Sequence, residues 1–290
     1  MSNQITTAFV EQYSRNVTML SQQMGSKLRD TVDQECIVGK NAFFEQIGVT
    51  AAQKKLSRHS DTPQLDTPHD RRRVSMDDYE WADLIDDVDK IRMLIDPTSS
   101  YAKAAAAAMG RSMDDVIITA FNASADTGVT GGTSVALPST SKFATSNQSD
   151  GLTLAKLREA KKFFDTNDVD PSLQRYIVCG AQQISDLLGD STVTSADFNT
   201  VRALVQGEID TFLGFKFVTS NRLPFDASNT DDRLCFAYTE DAIKLAIGKD
   251  VQAKISERAD KSYSTQVYYC MSIGATRMEE KKVFQIPCNE

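Results

Sequence analysis

Apolar positions recur at helical spacing along one unusually long stretch of this chain. These positions are Tyr101, Ala105, Ala108, Met109, Val116, Ala120 and Phe121. Asp96 is a residue type suited to a helix N-cap, and Pro97 suits the first helical position. The predicted helix runs roughly 27 residues, or about 40 Å at ~1.5 Å per residue. Its centre, Ala104 to Ala108, is a run of minimal side chains, so other backbone can approach closely. Near the start, Phe9, Tyr13, Val17, Leu20 and Met24 step by three and four residues, which predicts an amphipathic helix within an arm over residues 1–45.

Between arm and long helix the pattern changes. Residues 46–94 predict an extended hairpin. Its first leg is Val49 to Arg58, and its tip is HSDTPQLDTPHD, where Pro63, Pro68 and the aspartates favour turns. The return leg opens on Arg71, Arg72 and Arg73 and then becomes acidic, from Asp77 and Asp78 to Asp89. Such an arm buries too little surface to hold itself in place. A long helix joined to a long polar arm points to a chain that completes its structure against neighbours.

After the long helix, Thr127 to Asp150 is Gly/Ser/Thr-rich without helical period and reads as a loop or small hairpin. From Gly151 the pattern is α/β. Leu154, Leu157, Ala160, Phe163 and Phe164 mark a helix. RYIVCG is a short buried strand, and AQQISDLLG is a helix closed by Gly189. SADFNTVRALVQG reads as a further helix with Ser195 as its cap. TFLGFKFVTSNRLP reads as a strand stopped by Pro224, RLCFAYT as another, and EDAIKLAIG as a short helix. The tail predicts strands at about Val251–Arg258, Thr265–Ala275 and Lys282–Pro287. The second is apolar on both alternating sets, as expected where both faces are covered.

Composition narrows the classes. The chain has 290 residues, 41% of them hydrophobic, enough for a sizeable core in one large domain or two joined ones. A net charge of −8 argues against a protein that coats nucleic acid, though a mildly acidic wall can enclose DNA without adhering to it. The five cysteines are scattered without a CxxC pair and read as reduced thiols, which fits folding in a cytosol. No signal peptide or membrane-spanning run is present in the sequence.

Each candidate catalytic or metal motif of the chain competes with a simpler reading. His59 and His69 lie among Asp61, Asp66 and Asp70, where a metal site competes with an exposed polar turn. GVTGGT at 128–133 lacks the ending of a phosphate loop and reads as a flexible loop. Asp226, Asp231 and Asp232 lack EF-hand spacing and read as a surface loop. The expected catalytic, cofactor and metal sites are therefore none. A pocket in the α/β region would instead favour a hydrolase.

The order of parts resembles the major capsid protein of tailed bacteriophages, with its Hong Kong 97-like α+β fold. Asp96-Pro97 with Tyr101, then Arg111 and Asp114-Asp115 before Ile117-Ile118, is similar to that family's spine helix. Leu213-Gly214-Phe215 with Ser220 to Pro224 is similar to its central strand and turn. Gly274-Ala275-Thr276-Arg277 with Lys282-Val283 is similar to its closing strands. The resemblance implies an N-terminal arm (1–45), an extended loop (46–94), a peripheral domain (95–151 and 251–290) and an axial domain (152–250). It implies pentamers and hexamers closing into an icosahedral head around double-stranded DNA, with no cofactor, no membrane and no sequence-specific DNA contact. Assembly would take place in the host cytoplasm, and the chain would reside in the virion.

The implied partners are further copies, a separate scaffolding protein, a portal and a decoration protein. Met1 at the start favours separate scaffolding over a segment already cleaved. An encapsulin-type nanocompartment shell is the alternative of the same fold. The inter-subunit contact candidates are Phe9 and Tyr13 on the arm, and Arg71, Arg72, Arg73, Asp77 and Asp78 on the loop. The three arginines are expected outside the core, paired with acids of an adjacent subunit.

Overall fold

The computed structural model describes residues 21–55, 57–58, 61–62, 64–85, 98–143, 150–189, 211–227, 229 and 231–290. Its strands and helices are β1 (Asp33–Cys36), β2 (Asn41–Ile47), β3 (His69–Ser75), β4 (Asp77–Ile85), α1 (Thr98–Asn122), β5 (Ala125–Thr127), β6 (Thr133–Val135), α2 (Leu154–Thr166), β7 (Arg175–Cys179), α3 (Ala181–Gly189), β8 (Thr211–Phe212), β9 (Phe215–Thr219), β10 (Asp232–Thr239), β11 (Ile243–Arg258), β12 (Ser264–Arg277) and β13 (Val283–Asn289). They form an α+β arrangement with three sheets, ordered β13-β10-β7-β9-β8, β2-β3-β5-β6 and β1-β11-β12-β4. The chain groups into two compact units. One comprises Met1–Ser26, Asp78–Ser112 and Lys249–Ser272; the other comprises Lys27–Asp77, Met113–Gly248 and Ile273–Glu290.

The larger unit is built on the five-stranded sheet. β7 is buried at every position and β10 at all but Arg233, so both faces of these strands are covered. β10 runs antiparallel to β13, with Cys235 opposite Ile286, and to β7, with Ala237 opposite Ile177. β7 and β9 are parallel, with Ile177 opposite Phe217. The helical spacing of Leu157, Ala160 and Phe164 puts all three on the buried face of α2. Phe164 there meets Phe215 at 6.0 Å between ring centres, and Phe163 meets Phe284 at 4.8 Å. Phe121 of α1 lies against Phe236 at 5.0 Å and Tyr238 at 4.6 Å. Burial pushes the Tyr238 phenol up, and its hydroxyl meets Thr31 Oγ1 at 2.6 Å.

Several local expectations are corrected. TFLGFKFVT is two strands. β8 and β9 pair with Phe212 opposite Phe215 across a two-residue turn in which Leu213 and Gly214 have φ of 53° and 87°. That left-handed pair matches the twist of a hairpin. EDAIKLAIG is not helical: Glu240–Ala242 makes one 3-10 turn and β11 begins at Ile243. Ile243, Leu245 and Ile247 are buried, and β1 pairs with this stretch in parallel from Asp33–Lys244 to Cys36–Ile247. Residues 33–36, inside the stretch expected as an arm, thus carry a strand of their own. The hairpin leg expected at Val49 to Arg58 is β2, which pairs with β3 from Asn41–Ser75 to Ile47–His69. Phe44 and Val74 anchor that register in a small core with Ala246, whereas Val49 is fully exposed.

The excursion after Ala125 is a hairpin of β5 and β6, with Gly128 and Gly131 in the left-handed region. The helix expected around Phe9 and Tyr13, and the one capped by Ser195, fall outside the described residues. Residues 21–28, inside the expected arm helix, are not helical.

Candidate assembly surfaces

The long helix organises the chain segment that precedes β1. Ala105 and Ala107, two positions apart and so on opposite sides of the helix, are buried while Ala106 is exposed, so the alanine run is packed on two sides. Gly110 is buried as well. A Cβ there would lie 2.6 Å from the Ser26 backbone nitrogen and closer still to Gly25, so the backbone at Gly25–Ser26 crosses the helix in direct contact. The next residue, Arg111, donates to Gln22 Oε1 at 2.9 Å and to the Gln23 carbonyl at 3.1 Å.

Asp114 is fully buried, and its carboxylate accepts the backbone N–H groups of Lys27 and Leu28 at 3.1 Å. Two amides with no ladder partner thus acquire a charged acceptor, the stronger kind of hydrogen bond. The neighbouring Asp115 takes both the Nε and Nη2 protons of Arg222, and that bond holds the guanidinium pKa above its ordinary value. The Asp114-Asp115 pair therefore divides its work between a chain crossing and the turn after β9.

Arg277 serves the other end of α1. Its fully buried guanidinium donates to the carbonyls of Phe121 at 2.9 Å, Ala123 at 2.8 Å and Val135 at 3.0 Å. The last carbonyls of a helix lack intrahelical partners, and a buried helix end needs such donors. Burial pulls the Arg277 pKa down, against the opposing effect of Glu280. Gly274, three residues earlier, leaves room for the Ser75 carbonyl, which a Cβ would strike.

The arginine run does not behave as one patch. Successive strand residues point to opposite faces, so Arg72 turns inward while Arg71 and Arg73 turn outward. Arg71 reaches Glu45 at 3.0 Å and lies over the Phe43 ring. Arg73 reaches Asp126 at 2.6 Å. Arg72 is 5% exposed, donates to Glu280 at 2.8 and 3.0 Å and bonds the Met278 carbonyl through Nε. The expectation that all three lie outside the core is corrected for Arg72, and each guanidinium has a carboxylate of its own chain.

Asp77 and Asp78 open β4, are exposed and have no partner among the described residues. Phe9, Tyr13 and His59 lie outside the described residues, and His69 is an exposed residue opposite Ile47. Asp232 is buried and accepts Asn229 Nδ2 at 2.8 Å, so it shapes its own loop.

Cys179, Cys235, Cys270 and Cys288 are buried and free, and Cys36 is exposed. Burial pushes the Cys179 thiol up to about 12, and a hydrogen bond with Cys288 followed by burial raises Cys235. Such thiols stay protonated and unreactive. Two clefts among the described residues are one of about 890 Å³ beside Phe143, Phe163 and Phe284 and one of about 600 Å³ beside His69, Arg72 and Lys282. Neither is lined by both a histidine and a serine or cysteine, so neither holds a nucleophile next to an imidazole base.

The buried polar side chains described above hold a chain crossing, a helix end and a strand register. The model of the phage capsid protein family matches residues 5–290, and the chain belongs to that family. No curated protein sequence matches it. In fold it is similar to the capsid of cyanophage P-SCSP1u, at 15% identity and a TM-score of 0.75, over 99% of this chain and 94% of that one. It is also similar to a chain of Mycobacterium phage Che8, at 18% identity and a TM-score of 0.70 over 95% and 96%. A chain of the cyanophage Pam1 capsid asymmetric unit follows at 13% identity and a TM-score of 0.72 over 98% and 97%. The protein is a phage capsid protein with the Hong Kong 97-like fold, a component of the phage head.

Proposed function

We propose that copies of this chain assemble as pentamers and hexamers into the closed icosahedral head that encloses double-stranded DNA, and that the chain carries out no catalysis. The observation that carries this reading is the family match across nearly the whole chain, joined to a fold in which the buried Asp114 and Arg277 side chains hold backbone groups. In the same reading residues 46–94 are the extended loop, 95–151 and 251–290 the peripheral domain, 152–250 the axial domain and 1–45 the arm. Phe9 and Tyr13 of the arm, with Asp77 and Asp78 of the loop, contact neighbouring subunits. Arg71 and Arg73 stiffen the loop's root through Glu45 and Asp126 and lend it a fixed shape. A scaffolding protein, a portal and a decoration protein complete the head, and the shell forms in the host cytoplasm.

Negative-stain microscopy of the purified chain, alone and with a co-expressed scaffolding protein, tests this directly. Closed shells or rings of five and six subunits are expected. A protein that stays monomeric under every such condition overturns it.

A further inference from the structure

Two lysines without counter-charge stand beside an aromatic cleft. The cleft, of about 890 Å³, is formed by α2, the segment from Val135 to Phe143 and the turn before β13. Phe284 is buried at its base and meets Phe163 at 4.8 Å between ring centres. Phe143 and Phe163 are only half-buried, so each leaves apolar surface uncovered. The walls are fixed from behind. The Phe143 amide donates to the Gln285 carbonyl at 2.8 Å, and the Ser141 hydroxyl donates to the Glu280 carbonyl at 3.0 Å. The buried Lys156 ammonium lies 5.8 Å from the centre of the Phe143 ring. A cleft held in this way exists before a partner arrives, which keeps the ordering cost of binding low.

The charge around it is one-sided. Glu280 is taken by Arg72 at 2.8 Å, and Glu159 by Lys162 at 3.3 Å. Lys142 and Lys281 line the cleft and have no ion-pair partner among the described residues. Arg158 and Lys161, beside Lys162 on the exposed side of α2, have none either. These cations gather in a chain whose net charge is −8.

We propose that this cleft docks an acidic peptide segment of a second protein. An aromatic or apolar side chain of the segment sits against Phe143, Phe163 and Phe284, and its carboxylates face Lys142 and Lys281. An apolar anchor in a preformed pocket supplies affinity, and the charges around it set orientation and partner choice. Duplex DNA suits the cleft less well. Its phosphates offer charge but no apolar group for the aromatic base, and Glu159 and Glu280 stand in the same lining. The cleft is lined by a single chain, so the inference stands apart from the reading that copies assemble into a shell.

Fluorescence anisotropy with the purified full chain tests it. The probe is a short fluorescein-labelled peptide, one tryptophan flanked on both sides by glutamates. Saturable binding that weakens with added salt is expected. Lys142→Glu with Lys281→Glu should weaken it by about tenfold or more. Lys254→Glu with Lys261→Glu, at exposed positions outside the cleft, should leave it unchanged. A peptide with serine in place of the tryptophan should bind the wild type more weakly, because the aromatic base loses its occupant.

No saturable binding by the wild type overturns the inference. Equal binding of the two peptides overturns it, and so do equal effects of the two lysine pairs. A duplex oligonucleotide that binds more tightly than the peptide, and depends on the same two lysines, would assign them to DNA and overturn it too. If the cleft variant melts at a lower temperature than the wild type, Lys142→Gln with Lys281→Gln carries the test. Weaker and less salt-sensitive binding is then expected, and unchanged salt sensitivity overturns the inference.

Discussion

The Arg277 guanidinium donates to the Phe121 carbonyl at 2.9 Å, joining the end of β12 to the last turn of the long helix. The same group also bonds the carbonyls of Ala123 and Val135. Arg277→Met fills the space and leaves three carbonyls without their charged donor. The expected loss is about 3 kcal/mol or more, since bonds to a charged group are worth roughly 1.5–3 kcal/mol each. Urea unfolding measures it, and a change below about 1 kcal/mol would show that water replaces the guanidinium.

Gly110→Ala sets two effects against each other. In an exposed helix interior the change favours the helix by about 1 kcal/mol. Here the new methyl meets the backbone at Gly25 and Ser26, which cannot swing aside as a flexible side chain would. The steric effect should win. The variant is expected to keep its helix content while residues 21–28 become more sensitive to protease. A more stable protein with unchanged cleavage refutes the close crossing.

The alanine run offers a two-sided test. Ala105 is fully buried, so Ala105→Leu overpacks its contact and should cost about 1–3 kcal/mol. Ala106, next to it, is exposed, and Ala106→Leu should change stability by less than about 0.5 kcal/mol. Equal effects at the two positions in thermal unfolding would mean that the helix is rotated about its axis.

Glu290 supplies a pH dependence. Arg233 donates to both its oxygens, at 2.6 and 2.9 Å, and Gln183 to one at 3.1 Å. The Arg233 bond holds the Glu290 carboxyl below its ordinary 4.5, burial opposing it and Gln183 adding to it. A depressed pKa in the folded state adds stability that is fully present above the unfolded value. That stability is lost as pH falls through the folded one. Stability should therefore decline on acidification below about 4.5, and Glu290→Gln should flatten that part of the curve while lowering stability near neutral pH. An acid limb identical in wild type and variant disproves the role.

The arginine run shows how far one line of sequence reaches. Strand alternation alone separates Arg72 from Arg71 and Arg73. It does not say which face is covered, because the covering groups are distant: Met278 and Glu280 lie more than 200 positions along the chain. The Asp114-Asp115 pair was visible as a motif, yet its division between Lys27, Leu28 and Arg222 depends on segments that meet only in three dimensions. Gly110 carried a legible signal, a glycine closing a run of alanines in a helix.

By itself the sequence determined the long helix, the buried strand Arg175–Cys179, the helix at 154–166 and the order of parts that marks the family. These depend on periodicity and composition within a few turns of chain. The tertiary structure alone decided that residues 243–247 are strand, that β2 and not the segment from Val49 pairs with β3, and that the arginines are spent within the chain. Each of these turns on a partner far away in sequence. A short apolar run satisfies a helix or a strand equally well until a neighbouring strand such as β1 supplies the hydrogen bonds and cover that settle it.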